Sequence, residues 1–390
     1  MLVYQRKDLP ADPVFEPNLK SLGYFINDKD QIRQIANPDQ EFKYKISNVD
    51  RWNELNREAM NECIRRITLS RLQDMGVSTL RLPLGVTADE PHVPILASSN
   101  LQTAKRVVVV FGSPMQDLGI WAYRTVGTVS IAEGTVVSFV KAVLGDDQIS
   151  SGQGDTAVVI ANTGQLLYHN RSGRAMSQRS WLALPRESAV HPGLKITRRN
   201  KVPRNSNWQE HVECVFDDVL AARGRMVSED TRFDIIGVAE GGLAAVRYLA
   251  RNWSKWSRYI SAMCLAEPTH SRRSDLFLDP SLSSDDDYGS LACPPNSFAD
   301  FIATRCRAYV LSDQPTETPV PGTLVYGCNT YASGEELNSE CIMPAAWRHM
   351  LPWLRKLHDD PQYEETPMVI QEDVDDGGWE AWREGVELID

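Results

Sequence analysis

The sequence has 390 residues, of which 42% are apolar and 24% are charged, and its formal net charge is −11 at pH 7. This length suffices for one large α/β core or two smaller domains, and the acidic balance disfavours adhesion to nucleic acid by the whole surface. No run of about eighteen apolar residues occurs, so the sequence predicts no membrane span. The first residues lack the pattern of a cleavable leader, which favours a protein that is not secreted.

The seven cysteines are odd in number and scattered, without a CxxC pair. Such spacing favours neither a disulfide framework nor a zinc cluster. We therefore interpret the cysteines as core residues of a protein in a reducing compartment, and we predict no metal and no cofactor.

The first part of the chain predicts an arm, a helix and an irregular segment. Residues 1–20 are rich in proline and charge, which indicates an extended N-terminal arm. In Arg51–Asp74 apolar residues recur at helical spacing and Gly76 follows, so we predict a long amphipathic helix. The prolines in Thr79–Ser99 favour irregular structure that wraps the core.

From Lys105 onward, short β-branched runs alternate with helical patterns. This alternation predicts a doubly wound, mostly parallel sheet with helices on both faces, and we assign residues 21–358 to this single domain. The predicted strands are Arg106–Phe111, Thr156–Ala161, Phe233–Ile236, Tyr259–Leu265 and Gly322–Tyr326. The predicted helices are Thr135–Leu144, Gln209–Ala222, Gly241–Ala250 and Pro344–His358.

Two segments depart from the average charge. Residues 359–390 predict a solvated acidic tail, since Glu364–Asp390 carries ten acids and one arginine. Arg171–Arg204, a basic insertion after the second strand, holds nine basic residues and one acid. It suits an acidic partner protein or RNA phosphates; alternatively, it is a solvated loop that pairs with the protein's own acids. The candidate binding residues are Arg171, Arg174, Lys195, Arg198, Arg199, Lys201 and Arg204.

The most informative stretch is DIIGVAEGGLAA at residues 234–245. A strand enters small residues, turns sharply and continues as a helix, which is the layout of a nucleophile elbow. Gly237 and Gly241 take the small positions, so the nucleophile position holds Ala239, whose methyl group cannot attack a carbonyl. Two alternatives remain: a frame shifted by one makes Glu240 the nucleophile, and a plain strand, glycine turn and helix also meets the pattern.

In hydrolases with this elbow, an acid and then a histidine follow along the chain. Glu267, after the strand Tyr259–Leu265, stands where the acid belongs. The loop at residues 327–337 contains no histidine, and His349 and His358 lie in the next helix, where a surface or capping role is favoured. The sequence therefore predicts that two of three catalytic positions are empty and that the protein is not an enzyme.

The loop after the first core strand, residues 111–121, is the expected oxyanion loop. Gly112 preserves a backbone shape that presents an amide, whereas Pro114 lacks a donor. Ser113 lies in this loop without a visible base. A hydrolase of an ester or amide with a displaced nucleophile, Ser113 or Glu240, is therefore the alternative to a binding protein.

Short stretches carry a family resemblance: VVVVFG at 107–112, LGIWA at 118–122, VVIANT at 158–163, VAEGG at 238–242 and ELNS at 336–339. They resemble the fungal Argonaute-binding family, the Arb-type domain of the Argonaute siRNA chaperone complex, which is also appended to some class II histone deacetylases. The resemblance implies an α/β-hydrolase-like fold over roughly residues 20–358. Where members resembling intact hydrolases carry serine and histidine, this sequence has Ala239 and Glu335, while Glu267 matches the acid. These three positions are vestigial.

The resemblance implies a role in small-RNA silencing and heterochromatin assembly, through holding an Argonaute protein together with other silencing-complex subunits. The chain resembles the chaperone subunit more than the domain appended to deacetylases. The resemblance implies a nuclear and cytoplasmic protein without a membrane contact. An RNA-binding module that uses the basic insertion is a third possibility.

Overall fold

The computed structural model of the protein describes residues 11–145, 154–187, 191–276 and 293–370. Residues 1–10 of the predicted arm and 371–390 of the predicted tail lie outside them. The strands are β1 (Tyr24–Ile26), β2 (Ile32–Gln34), β3 (Val77–Leu82), β4 (Val93–Ser98), β5 (Arg106–Phe111), β6 (Thr156–Ala161), β7 (Leu167–His169), β8 (Arg174–Met176), β9 (Arg232–Val238), β10 (Ile260–Ala266), β11 (Cys306–Val310) and β12 (Asn329–Ala332). The helices are α1 (Asp50–Asp74), α2 (Tyr123–Thr128), α3 (Ile131–Gly134), α4 (Val137–Leu144), α5 (Gln178–Leu182), α6 (Trp208–Cys214), α7 (Ala239–Trp256), α8 (Phe298–Arg305), α9 (Thr323–Tyr326) and α10 (Ile342–Asp359).

The central sheet has eight strands in the order β12-β11-β10-β9-β5-β6-β4-β3. The strands from β12 to β6 pair in parallel, while β4 and β3 pair antiparallel at one edge. Alternate residues of β5 enter two core clusters: Val107 and Val109 lie with α6, α7 and α8, whereas Val108 and Val110 lie with α4 and α10. Helices thus cover both faces, which confirms the predicted α/β-hydrolase-like, doubly wound fold.

Most predicted elements are confirmed. Four of the five predicted strands correspond to β5, β6, β9 and β10, because buried parallel strands are continuous apolar runs. The predicted helices correspond to α1, α4, α6 with its π-helical continuation Val215–Leu220, α7 and α10. Within the described ranges, no helix is long and apolar enough to cross a bilayer.

The irregular structure predicted for Thr79–Ser99 is wrong at both ends of the segment, which are strands, and agrees with the structure in the connection, residues 83–92. Residues 79–82 belong to β3 and residues 93–98 to β4, and the two strands pair with each other. Pro83 and Pro91 lie in the connection between the two strands. β4 begins to pair with β6 at Leu96, two residues after Pro94. The N–H that Pro94 lacks is therefore not needed for the pairing with β6.

The strand predicted at Gly322–Tyr326 is also wrong. The segment forms the helical turn α9, and the last two strands, β11 and β12, lie on either side of it. A short apolar run does not by itself distinguish a buried strand from a helical turn. Here Gly322 and Gly327, with φ values of 146° and 79°, bound the turn.

The residues that follow α10 pack against the sheet. Glu365 is 7% exposed and accepts hydrogen bonds from Arg307 Nε at 2.9 Å and from Trp353 Nε1 at 3.0 Å. The Arg307 guanidinium also lies over the rings of Tyr331 and Trp353. The solvated tail predicted for Glu364–Asp390 is therefore wrong at Glu365, because a carboxylate can be buried when it is paired and hydrogen-bonded.

The outer edge of β12 is covered by residues 317–320. The Val320 N–H donates to the Thr330 carbonyl at 3.0 Å, and the Ala332 N–H donates to the Thr318 carbonyl at 2.8 Å. An isolated bridge joins Pro319 to β12 between these bonds. The last strand of the sheet therefore has backbone partners on both sides.

Candidate functional site

The turn from β9 into α7 has the geometry of a nucleophile elbow. Ala239, the first residue of α7, has a φ of 49°, in the left-handed region that residues other than glycine seldom adopt. Such strain costs about 1–3 kcal/mol and clusters at functional sites. The structure thus places Ala239 at the turn where the sequence predicted the nucleophile position.

Two glycines permit this turn. A Cβ on Gly237 would lie 2.9 Å from Leu265 Cδ2, and a Cβ on Gly241 would lie 2.7 Å from the Phe111 carbonyl oxygen. Both distances are shorter than non-bonded contacts allow. Glycine at 241 therefore lets α7 approach β5 closely, and glycine at 237 leaves room for Leu265 of β10 and for Gly242 in the first turn of α7.

A cavity of about 390 Å³ opens beside Ala239. Its wall includes Gly112 and Ser113 after β5, Ala239 and Glu240 after β9, and Glu267 after β10. The carboxyl ends of parallel strands are where ligands bind in α/β sheets. The structure therefore brings the predicted oxyanion loop, nucleophile position and acid position to one site.

Glu267 keeps an acid beside the elbow. It follows β10 with a φ of 51° and lines the cavity. Burial raises the pKa of its carboxyl; a hydrogen bond from the Ser339 hydroxyl opposes the rise, and the carboxylates of Glu240 and Glu340 add to it. The predicted acid position is therefore occupied by a carboxyl whose charged form is disfavoured.

Glu335, the other vestigial position, lies in the loop after β12 and stabilises that loop. Its Oε1 accepts hydrogen bonds from the N–H groups of Leu337 at 3.1 Å and Asn338 at 2.9 Å. Although burial opposes the change, these hydrogen bonds hold the pKa of Glu335 below its usual value. Among the described residues that line the cavity, Glu335 does not appear.

The two histidines considered as bases lie elsewhere. His349 Nδ1 is 3.1 Å from the Glu317 carboxylate, and His358 Nδ1 is 3.8 Å from Asp234 in the first half of β9. Burial lowers the pKa of His358 to about 4. The cavity wall, as far as the described ranges show it, contains no histidine.

The loop after β5 is held by its own hydrogen bonds. The Thr163 hydroxyl donates to the Gly112 carbonyl at 2.6 Å, and the Ser113 hydroxyl accepts from the Met115 N–H at 3.3 Å. Further along, Asp117 Oδ2 accepts from Arg65 Nη1 at 2.7 Å and from the Tyr123 hydroxyl. Ser113 is therefore a turn residue in the cavity wall.

Sequence reasoning missed a buried histidine behind the wall. His211 of α6 is fully buried; its Nε2 accepts from the Asn162 N–H at 2.9 Å, and its Nδ1 donates to Asn205 Oδ1 at 2.6 Å. Asn162 lines the cavity. The sequence does contain a signal: this histidine adjoins the apolar stripe of the predicted helix. A polar side chain at such a position needs buried hydrogen-bond partners, so the position itself indicates a buried polar contact.

The free energy of unfolding is expected to fall as the pH is lowered from 6.5 towards 3. Burial lowers the pKa of His211 to about 3, so between pH 6.5 and pH 3 the histidine is protonated in the unfolded chain but not in the folded protein. In that window, each unit by which the pH falls lowers the free energy of unfolding by about 1.4 kcal/mol. Urea denaturation at pH 7.5 and at pH 5 measures how much the free energy of unfolding falls between the two pH values. This fall should be about 2 kcal/mol smaller in His211→Gln than in the parent. Asp234, whose pKa burial raises to about 6, acts in the opposite sense but is common to both proteins. Equal losses would contradict the prediction.

The basic insertion is divided between paired and exposed residues. Arg174 Nη1 lies 2.8 Å from Glu62, and Arg204 Nη1 lies 2.5 Å from Asp218. Lys195 is exposed in the coil before the 3₁₀ turn Arg198–Asn200. The β7–β8 hairpin and this turn bring four further exposed cations together: Arg171, Arg198, Arg199 and Lys201. We call these four residues the basic surface.

Hydrogen bonds fix the basic surface to the domain. Asn170 Nδ2 donates to the Arg199 carbonyl at 3.4 Å, and a bridge joins Leu167 to Lys201. Asn200 Nδ2 donates to the Tyr168 carbonyl at 3.1 Å. Pairing with the protein's own acids therefore accounts for Arg174 and Arg204, and the described residues supply no ion pair to the basic surface.

The strand order, the elbow and the cavity beside it define the class: a protein of the α/β-hydrolase fold with alanine at the turn where such hydrolases carry their nucleophile. Within that class, the chain belongs to the Arb2 domain family, whose model matches residues 15–316. This membership confirms the family resemblance found in the sequence.

Similar proteins include the cotranscriptional regulator ARB2A of Mus musculus, 24% identical over 297 residues, covering 68% of this chain and 67% of the relative. ARB2A of Homo sapiens is 28% identical over 141 residues, covering 35% of this chain and 33% of the relative. The chain therefore spans about two thirds or less of these relatives. Among solved structures, a histone deacetylase from Saccharomyces cerevisiae is 11% identical, with a TM-score of 0.41, over 76% of this chain and 97% of that one.

Proposed function

We propose that this protein is a noncatalytic regulatory subunit that acts in the nucleus by binding partners. The observation that carries the proposal is the alanine at the elbow: the strained turn is present, with φ of 49° at Ala239, but it presents a methyl group. Support comes from Arb2 family membership and from relatives named cotranscriptional regulators. Cotranscriptional regulation is accordingly the broad process that we assign to the protein.

The chemistry of acyl transfer supports a role without catalysis. Covalent hydrolysis requires a nucleophile and a base within hydrogen-bonding reach. Ala239 provides no nucleophile, and Glu335, where a histidine would belong, is hydrogen-bonded to its own loop. Glu267 remains in the cavity wall, but an acid without the base that it orients does not activate a hydroxyl.

Our finer proposal is that the protein is a component of an Argonaute siRNA chaperone complex, with a part in RNA silencing and heterochromatin assembly. Its partners are an Argonaute protein and other silencing-complex subunits, and it occupies both nucleus and cytoplasm. The support is the family resemblance of the sequence. The basic surface is the proposed contact, because its exposed cations lack acidic partners within the described residues and suit an acidic protein surface.

The test is mass spectrometry of proteins that co-purify with the tagged chain from its native cells. A variant with Arg171, Arg198, Arg199 and Lys201 all changed to Gln is expected to keep the fold, because the four side chains are exposed, whereas deletion of 171–204 would remove the buried Trp181. The matched control changes four other exposed cations, Lys20, Lys29, Lys43 and Lys45, to Gln. Argonaute should be enriched with the parent and the control and depleted with the variant. Absence of Argonaute with the parent would refute the silencing role, and equal recovery with the variant would refute the contact.

RNA is the other candidate ligand of the basic surface. Phosphate contacts by exposed cations make affinity fall steeply with salt. The same variant and control would be titrated with single-stranded RNA at low and moderate salt. Salt-sensitive binding lost in the variant would favour the RNA-binding module over the protein contact.

A hydrolase with a displaced nucleophile is kept as an alternative because Ser113 and Glu240 both line the cavity. We expect no turnover of a panel of simple esters and amides and no labelling by a serine-reactive fluorophosphonate. Turnover that disappears in Ser113→Ala or Glu240→Gln would overturn the noncatalytic assignment.

A further inference from the structure

Large aliphatic side chains are exposed beside the basic surface. Leu182, Leu194 and Ile196 are 53%, 54% and 43% exposed, and we call these three residues the apolar strip. Leu194 and Ile196 lie in the coil that leads into the 3₁₀ turn Arg198–Asn200. Single exposed aliphatic residues are common on protein surfaces, whereas several together, bordered by charged residues, mark interaction sites.

A buried tryptophan places the apolar strip next to the basic surface. Trp181 Nε1 donates to the Leu194 carbonyl at 2.7 Å, so Leu194 lies beside α5, which carries Leu182. The Trp181 ring packs edge-on against His169, with ring centroids 5.5 Å apart. His169 ends β7, and Arg171 lies in the hairpin turn that follows. The strip and the four cations therefore belong to one surface that is fixed to the domain.

Two further exposed cations lie among the aliphatic side chains. Arg179 lies one helical turn before Leu182 on α5, and Lys195 lies between the other two residues of the apolar strip. Within the described ranges, no ion pair involves Arg179, Lys195 or the basic surface. In a chain whose net charge is −11, these cations are left for an acidic ligand.

The exposed apolar atoms favour a protein ligand over RNA. Single-stranded RNA is bound by cations that contact phosphates together with aromatic side chains on which bases stack. The tryptophan and tyrosine at this surface, Trp181 and Tyr168, are each 2% exposed, so neither offers a ring face to a base. The exposed apolar side chains are aliphatic, and their burial against apolar side chains of another protein is favourable.

We infer that this surface binds an acidic segment of a partner protein that also carries large apolar side chains. Aspartate and glutamate residues of the segment pair with the exposed cations, and its leucine, phenylalanine or tryptophan side chains cover the apolar strip. The inference rests on the proposed function only in taking a protein as the ligand. It adds the composition of the segment that makes the contact.

Fluorescence anisotropy with labelled peptides tests this ligand chemistry on the full chain. The probe is a short peptide in which glutamate alternates with leucine and phenylalanine. One control peptide has serine at the apolar positions, and the other has glutamine at the acidic positions. The probe should bind at least about tenfold more tightly than either control at physiological ionic strength. A serine control that binds as tightly as the probe, or no probe binding up to about 1 mM, would overturn the inference.

Substitutions of exposed residues locate the site. A variant with all three residues of the apolar strip changed to serine should bind the probe about tenfold more weakly, because the apolar contact is lost while every cation remains. The matched control changes three exposed aliphatic residues elsewhere to serine, namely Val129, Val325 and Leu337. Thermal melting checks folding. Unchanged probe binding in the folded strip variant would refute the site; if that variant fails to fold, the peptide series still decides.

Other occupants give different outcomes. Tighter binding of a single-stranded RNA than of the probe would make RNA the ligand and overturn the inference. The acids of residues 371–390 are the rival occupant within the chain. Carbodiimide crosslinking of the isolated chain should join Lys195 or Lys201 to these acids no more often than it joins the exposed Lys29 or Lys45. An excess at Lys195 or Lys201 would identify that segment as the occupant and overturn the assignment to a partner.

The peptide series and the co-purification experiment fail separately. If the probe shows the expected selectivity but no Argonaute co-purifies with the parent, the silencing role is refuted and the inference stands. If Argonaute co-purifies equally with the parent and the strip variant, and the probe does not bind, the inference is refuted and the silencing role stands.

Discussion

Gly241→Ala is expected to destabilise the protein by at least about 3 kcal/mol, because its methyl group would overlap main-chain atoms. The new Cβ would lie 2.7 Å from the Phe111 carbonyl oxygen and would also overlap the carbonyl oxygen of Gly112. Neither obstacle is the flexible end of a side chain. Relief therefore requires α7 to move away from β5, which would open the elbow and the cavity beside it.

The matched control for this substitution is Gly127→Ala in α2. A Cβ at Gly127 meets no atom within 4 Å, and alanine favours a helix over glycine by about 1 kcal/mol. Urea denaturation followed by far-UV circular dichroism would compare both variants with the parent. A Gly241→Ala variant as stable as Gly127→Ala would show that the close approach of α7 to β5 is wrong.

Removal of the Glu365 carboxylate is expected to cost about 3–5 kcal/mol, the range for breaking one partner of a buried ion pair. In Glu365→Ala the Arg307 guanidinium would lose its carboxylate partner, and Trp353 Nε1 would lose its acceptor. Asn329 Nδ2, which donates to Glu365 Oε2 at 3.3 Å, would lose one of its partners. The C-terminal segment should then detach from the edge of the sheet.

Glu364→Ala is the control, because the neighbouring glutamate has the same charge and is exposed. An exposed substitution of this kind should change stability by no more than about 0.5 kcal/mol. Denaturation of both variants and limited proteolysis after residue 360 would measure the difference. Equal stability of the two variants would mean that Glu365 is not part of the core.

The sequence predicted the elements whose signals are local. β5 and β6 are continuous buried runs, and the elbow places Gly237, Ala239 and Gly241 within five residues, so both were found without knowledge of the fold. β3 and β4 were missed because Pro94 and the prolines of the connection between them suggested a loop, and because the pairing of β4 with the distant β6 leaves no local signal. The burial of Glu365 was missed because Arg307, its partner, is distant in the sequence.

At the candidate site too, the sequence predicted some contacts and missed others. Ala239 and Glu267 follow strands directly, and the carboxyl ends of parallel strands meet at one edge, so their proximity could be inferred. The contact between His211 and the Asn162 N–H joins α6 to the end of β6, and periodicity carries no information about such a contact.

The segment 317–320 has a consequence for self-association. A bare sheet edge is a template for a strand from another molecule, and β-sheet proteins protect such edges. At β12 the backbone groups of Thr330 and Ala332 are bonded within the chain, and Pro319, which has no N–H, lies on the outside. Sheet extension between two copies is thus blocked at this end. A continuous intermolecular sheet would have to form through β3, at the opposite edge.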